Sequence, residues 1–197
     1  MTGTSPKPSL PSLRNLMAVL GCCLWLALSG PAVGAQSKNP PKDARSAVQT
    51  FFSLLKSQQY SSLYSFLPSQ LQQQITPEQL SQSLKRLSTQ IVIDRLEIGR
   101  VQEKGEFAVV DTIIYGQLKK NPNRNGEVIE IKEGRISVQQ YLYREGDQWK
   151  IATADNRSRA YFLRRHPDFS KQFQLSLPRF EAKQDGRWRP LQEVLKQ

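Results

Sequence analysis

The pattern of apolar and polar positions changes along this chain from a helical period to an alternating one. Over residues 44–55, apolar residues recur every three or four positions and polar residues occupy the opposite side, which predicts an amphipathic helix. A second, shorter helix is predicted over 60–67. It should stop before Pro68, because proline cannot continue a helix.

The start of a third helix is marked by local capping residues. Thr76 is suited to cap the helix, Pro77 occupies the first helical position, and Gln79 is placed to close a capping box with Thr76. Leucines then follow at helical spacing. The sequence therefore predicts a helix over 77–87.

After Gln90 the period becomes alternating, which indicates a sheet. Ile-, Val- and Tyr-rich segments predict one hairpin with arms 91–102 and 107–118, and a second with arms 136–144 and 148–154. Residues 121–126 contain two Asn, a Pro and a Gly and predict a loop, with a further strand over 127–132. Helices followed by an antiparallel meander predict an α+β fold of two packed layers.

The second hairpin carries a closing motif, Gly146-Asp147 followed by Trp149-Lys150-Ile151. Together with the first helix, the turn at 59–64 and the long hairpins, this motif resembles nuclear transport factor 2-like domains over about residues 43–155. The resemblance implies a strongly curved sheet wrapped around the first helix, leaving a cone-shaped cavity. Members include enzymes, transport adaptors and accessory domains, so the resemblance does not specify an activity.

Enzymes of this superfamily place acids, histidines or tyrosines inside the cone, and Asp111 is the candidate here. It is flanked on both sides by strongly apolar strand residues, and an apolar environment would raise the pKa of its carboxyl group and suit a general base. Tyr64, Tyr115 and Tyr141 are candidate hydroxyl donors of the same pocket. The alternative is that Asp111 is a solvent-facing or hydrogen-bonded structural acid.

The N-terminal segment predicts an export signal over 1–35. Arg14 precedes an apolar run of about thirteen residues, Pro31 then breaks the helix, and Val33 and Ala35 fit the small positions before a signal-peptidase cut. Two alternatives remain: an uncleaved membrane anchor, and a lipobox ending at Cys22. The protein is therefore expected in a periplasmic, lumenal or extracellular space, or anchored to a membrane by its N-terminus.

The few cysteine and histidine residues limit the available chemistry. Cys22 and Cys23 are the only cysteines and lie inside the predicted signal, which excludes disulfides and cysteine-ligated metals from the exported part. His166 is the only histidine, lies between arginines and a proline, and is expected at the surface or at a helix end. We expect no cofactor and no metal site.

The charge is concentrated near the C-terminus. The chain carries a net charge of +11, and residues 157–197 hold ten Lys or Arg against four acids. Because an exported protein does not meet nucleic acid in its ordinary compartment, an anionic surface or an acidic envelope component is the more natural partner. The candidate basic surface consists of Arg159, Arg164, Arg165, Arg187 and Arg189. The alternative is a solvated face that keeps the protein soluble.

The C-terminal residues predict elements beyond the resemblance: a short helix over 159–165 and strands over 172–177 and 180–191, with Trp188 packed on the core. The organisation is thus a signal at 1–35, a linker at 36–42, one domain at 43–156 and a basic extension at 157–197. After the signal, about 162 residues suit one core.

Two classes of function remain from the sequence. The favoured one is an exported, non-enzymatic binding or accessory module whose partner is a protein or an envelope component. The alternatives are a carrier of small hydrophobic ligands or an enzyme that uses the cone, and docking to an envelope or membrane surface through the basic extension. The protein is expected to be a monomer or a homodimer.

Cleavage after Ala35 gives a testable first residue. N-terminal sequencing of the exported protein by mass spectrometry should read Gln36-Ser37-Lys38. Intact Met1 in the membrane fraction would indicate an anchor instead, and a lipid mass on Cys22 would indicate the lipobox.

Overall fold

The structure is a computed structural model that describes residues 41–122, 128–152 and 156–194. The predicted signal and most of the predicted linker lie outside the described residues. Within the described ranges, every helix is too short or too polar to cross a membrane.

The first helix forms as its pattern predicted. Helix α1 spans Ala44–Lys56, and the side chain of Asp43 caps it by accepting a hydrogen bond from the backbone N–H of Ser46 at 2.7 Å. The second segment differs in type, because Tyr60–Phe66 is a 3-10 helix and not an α-helix. It ends at Phe66, with Leu67 as its C-cap immediately before Pro68, as expected from the missing proline N–H.

A short helix, α2, spans Ser69–Gln72, and α3 spans Pro77–Ser88. The predicted capping box of α3 is confirmed: Thr76 N–H donates to Gln79 Oε1 at 2.9 Å, and Gln79 N–H donates to Thr76 Oγ1 at 3.2 Å. The apolar side of α3 contacts the 3-10 helix, but its leucines stay only half-buried.

The helices are followed by one six-stranded antiparallel sheet, which confirms the predicted α+β class. Its strands are β1 (Ile91–Lys104), β2 (Phe107–Pro122), β3 (Val128–Glu145), β4 (Gln148–Ile151), β5 (Arg179–Gln184) and β6 (Arg187–Pro190). The order is β1-β2-β3-β5-β6, and β4 pairs with β3 beside this path. Both predicted hairpins are confirmed.

Two details of the predicted sheet are wrong. The separate strands expected over 127–132 and 136–144 form the single strand β3, because Gly134 pairs with Gly116 of β2 and keeps the ladder continuous. The loop expected over 121–126 is wrong in its first two residues, and residues 123–126 lie outside the described residues. Asn121 and Pro122 still belong to β2, where they pair with β3.

The predicted strand over 172–177 is also wrong. Helix α4 spans Asn156–Arg165 and is followed by α5, Phe169–Gln172, and then by irregular backbone up to β5. Phe169 and Phe173 are buried against the face of the sheet. The segment that contains them therefore packs on that face and does not pair as a strand. The strand pair expected within 180–191 does form, as the β5–β6 hairpin, and a last helix α6 spans Leu191–Val194.

Bulges and a glycine pair bend the long strands. The β1–β2 and β2–β3 ladders each shift register twice. Gly116 is required at this bend, because a Cβ atom there would lie 2.2 Å from the carbonyl oxygen of Val92. Bulges increase the local twist of a sheet and bend the bulged strand.

The inner face of the sheet packs on α1. Alternate residues of β2, including Ala108 and Val110, join buried side chains of α1, of the 3-10 helix and of β3–β4 in one core: Ala44, Ala47, Val48, Phe52, Phe66, Leu142, Trp149 and Ile151. Trp149 shares this core with residues of α1, and only 2% of this residue is exposed.

The outer face packs on the C-terminal helices. Val109 of β2 and Tyr141 of β3 are buried beneath Phe162 of α4, Phe169 of α5 and Phe173. Residues 156–194 thus cover the outer face and add the β5–β6 hairpin, whose β5 pairs with β3. Trp188 of β6 is half-buried and contacts Tyr115, with ring centroids 6.1 Å apart.

The two tryptophans should differ in their contribution to stability. Trp149→Ala removes a fully buried ring and should lower the free energy of unfolding by about 3 to 5 kcal/mol, measured by urea denaturation. Trp188→Ala is the matched control and should cost clearly less, because its ring is half-exposed. Equal losses for the two variants would contradict the packing of Trp149.

Candidate functional site

A cleft of about 460 Å³ lies between α1 and the first half of β1 and opens to solvent. Five residues of α1 form one wall: Arg45, Gln49, Phe52, Ser53 and Lys56. Four residues of β1 form the other: Ile93, Arg95, Leu96 and Ile98. The volume is in the range of small-ligand sites.

Two hydrogen bonds from α1 set the width of this cleft. Arg45 Nη2 donates to the carbonyl oxygen of Gly99 at 2.9 Å, and Lys56 Nζ donates to that of Asp94 at 2.5 Å. Asp94 is skipped at the first register shift of the β1–β2 ladder, and Gly99 is skipped with Arg100 at the second. The bulges of β1 therefore place two carbonyl groups where α1 can bind them, and the cleft lies between these attachments.

The lining combines cationic, amide and apolar groups. Among the described residues, nine line the cleft, and none of these nine is an acid, a histidine or a cysteine. Ser53 supplies a hydroxyl group, but a serine nucleophile requires an adjacent base, which this lining does not contain. The lining thus places positive charge beside apolar surface.

Asp111, the candidate base, lies outside this cleft on the outer face of the sheet. Its Oδ1 accepts a hydrogen bond from Gln139 Nε2 at 3.0 Å, and its Oδ2 lies 3.6 Å from Arg100 Nε. The Asp111 side chain is 37% exposed. This placement matches the alternative of a hydrogen-bonded structural acid more closely than that of a desolvated base.

The three candidate tyrosines point to three different neighbourhoods. Tyr115 donates to Glu97 Oε2 at 3.0 Å on the outer face, and Tyr64 donates to the carbonyl oxygen of Gln72 at 2.5 Å among the helices. Tyr141 is buried under α4 and α5, and this burial raises the pKa of its hydroxyl group, with the Arg159 charge acting in the opposite direction. The four candidate pocket residues thus do not form one site.

Arg159, expected on a basic surface, is instead buried with 9% exposed. Its guanidinium donates to the carbonyl oxygens of Ser176 and Gln139, at 2.9 and 3.0 Å, and lies over the ring of Tyr141. Gln139 Oε1 also accepts from the N–H of Ser176 at 2.8 Å. Arg159 therefore anchors the irregular segment after α5 to the sheet, which corrects its assignment to the surface.

The other four arginines of that set occupy two places. Arg164 and Arg165 are exposed at the end of α4, which packs on the Tyr141–Tyr143 half of β3. Arg187 and Arg189 belong to β6, in the hairpin that joins β3 at Gly134–Ser137. The five predicted residues are thus one buried arginine, an exposed pair on α4, and a second pair on β6 in which Arg187 is exposed and Arg189 is half-buried.

The sequence analysis missed a polar cluster at the β3–β4 turn. Lys150 Nζ donates to the carbonyl oxygen of Ser65 at 2.8 Å, and burial lowers the pKa of Lys150, opposed by the charge of Glu145. Burial acts to raise the pKa of Glu145, but hydrogen bonds from Ser69 and Tyr143 outweigh it and lower this pKa. These contacts tie the helices to the hairpin. No local signal marks them, because Ser65 and Lys150 are 85 positions apart.

His166 follows the last residue of α4, in agreement with the expected helix end. Its ring lies among aromatic rings, 4.6 Å from Phe162, 5.2 Å from Phe107 and 5.5 Å from Tyr143 between centroids. Burial, and then the charge of Arg165, lower the pKa of His166. The described residues contain no group of three or more His, Cys, Asp or Glu side chains suited to a metal ion.

Arg159 and Arg164 offer a matched comparison on one helix. Arg159→Gln leaves the buried carbonyl oxygen of Gln139 without this donor and should lower the free energy of unfolding by about 1 to 3 kcal/mol in urea denaturation. Arg164→Gln changes an exposed side chain and should stay within about 0.5 kcal/mol of the parent. A neutral effect of Arg159→Gln would contradict its anchoring role.

No protein-family model matches this chain, and no curated protein matches it. Among solved structures, the chain is similar to a SEC-C motif containing protein from Rhodopseudomonas palustris, with a TM-score of 0.42 at 8% identity over 58% of this chain and 79% of that one. It is also similar to a protein assigned as a calcium/calmodulin dependent protein kinase II association domain from Xanthomonas campestris, with a TM-score of 0.31 at 13% identity over 61% and 92%. At these TM-scores the similarities assign neither a family nor an activity.

Proposed function

We propose that this protein is an exported, non-enzymatic binding module with a nuclear transport factor 2-like fold, which holds its partner in the cleft between α1 and β1. The observation that carries the proposal is the lining of this cleft, where cationic side chains stand beside apolar ones without an acid or a histidine. Such a lining recognises charge and apolar surface, and it lacks the groups that move protons.

The inner face of the sheet supports a binding role over a cone-pocket enzyme. Close to α1 this face is occupied by packed side chains such as Phe52, Val110 and Leu142. Further along it, Thr112 Oγ1 donates to the carbonyl oxygen of Val138, and Gln140 Nε2 donates to Thr112 Oγ1. These polar groups are therefore already hydrogen-bonded within the protein.

The fold part of the proposal is supported by the order and shape of the elements. Helices precede one antiparallel sheet, α1 packs on its inner face, and bulges with the Gly116–Gly134 pair bend the long strands. The export part is supported by the sequence alone, through the apolar run and small residues before Gln36.

The composition of the cleft also favours an anionic partner over a purely hydrophobic cargo. Carriers of apolar ligands enclose them in dry cavities, whereas this cleft opens to solvent and contains the cations Arg45 and Lys56. A charged partner with an apolar part satisfies both halves of the lining.

Site-specific photo-crosslinking tests where the partner binds. Gln49 is an exposed residue of the cleft, and Gln82 is an exposed residue of α3 outside it. A benzophenone amino acid at position 49 should form an adduct with a partner in the native envelope, detected as a mass shift by gel and mass spectrometry. The same probe at position 82 should not form that adduct.

Two further measurements give this test its control. Ser53→Glu adds a negative charge to the cleft and should weaken the adduct at position 49 while the melting temperature stays near that of the parent, because Ser53 is an exposed residue of α1. Equal adducts at positions 49 and 82, or none at position 49, would refute the cleft as the binding site.

A further inference from the structure

Two cations of the cleft lack a carboxylate partner. The guanidinium of Arg95 forms an ion pair with Glu97 and lies over the ring of Tyr115 on the outer face. Arg45 and Lys56, in contrast, have no acid within 4.0 Å among the described residues and donate only to backbone carbonyl groups there. The cleft therefore carries uncompensated positive charge at the two positions where α1 is attached to β1.

These two cations project along one line of the helix. They are eleven positions apart, which corresponds to about 16 Å along α1 and a rotation of only about 20° between them. Gln49 lies between them on the same side and is exposed. The cleft is thus an elongated recess with a positive group at each end.

The recess between the cations has an apolar floor. Phe52 is buried there, and Ile93, Leu96 and Ile98 of β1 are half-buried along the other wall. Covering this partly exposed apolar area with a ligand lowers the free energy of the system. A ligand that matches this surface has an apolar body about as long as the recess and an anionic head at one end.

We infer that the cleft binds a free amphipathic carboxylate, a medium-chain alkanoate, with its head on Arg45 and its chain on the floor of the recess. A guanidinium has five N–H donors in a planar fork that suits a carboxylate, and only Nη2 of Arg45 is occupied, by Gly99. Lys56 adds favourable charge at the other end. This inference rests on the proposed binding function and specifies its ligand.

The edge of the sheet argues against an extended peptide as the occupant. β1 is an edge strand, but its two bulges are bound by α1 and leave only a short regular stretch between them. Strand addition needs a longer run of unpaired backbone groups. A small ligand held by side chains does not need that run.

Calorimetric titration of the exported protein with sodium decanoate, below its micelle concentration, tests the inference. One decanoate should bind per chain, and affinity should rise about fourfold for each methylene between hexanoate and decanoate, because each added group covers the floor. Acetate should not bind, since it lacks the chain. Decyltrimethylammonium should not bind, since it carries the wrong charge.

Two single substitutions locate the site without disturbing the attachments of α1. Gln49→Glu places a negative charge in the cleft and should weaken decanoate binding about three- to fivefold, the scale of an exposed charge pair. Gln82→Glu makes the same change on α3 and should leave the affinity unchanged. Both glutamines are exposed and helical, so both variants should keep the parent melting temperature.

Several results would overturn the inference. These are no decanoate binding, equal binding of the decyl cation, or equal weakening by Gln49→Glu and Gln82→Glu. Binding to anionic vesicles without binding of free decanoate would assign the cleft to a membrane surface instead. A protein adduct at position 49 without decanoate binding would leave the proposed binding function intact and exclude the alkanoate as its ligand.

Discussion

The pairing of β2 with β3 is the interaction on which the rest of this structure depends. Over Phe107–Gly116 the ladder with β3 runs without a register shift, and its side chains alternate between two cores. One face carries α1 and the other carries α4 and α5. Because side chains alternate with a period of two, a slip of one residue would exchange the two faces and destroy both cores. The continuous ladder fixes which helices each face can receive.

The position of α1 follows from this ladder and from the neighbouring strand. β1 pairs with β2 but shifts register twice, and the carbonyl groups at Asp94 and Gly99 bind the two cations of α1. An edge strand with bulges resists pairing with other chains. Here the same bulges also leave a recess beside the helix. They therefore both protect the edge of the sheet and form the cleft.

The C-terminal residues close the outer face, and this explains why the predicted basic surface is divided. Arg159 satisfies backbone carbonyl groups beneath the segment that follows α5, at a place where a buried peptide group without a partner would be costly. Arginine suits this role because its planar fork reaches two acceptors at once. The exposed arginines are left at the end of α4 and on β6, at opposite parts of β3.

The sequence by itself determined the features that depend on neighbours a few positions away. The capping box at Thr76, the stop at Pro68 and the hairpin turn before Trp149 are local, so their residues identify them directly. It also determined the α+β class, through the change of period. Tertiary structure alone decided which face Asp111 occupies, that Arg159 is buried and where the cleft lies. These depend on bulges that shift the register and on contacts between residues far apart in the chain, which no local pattern records.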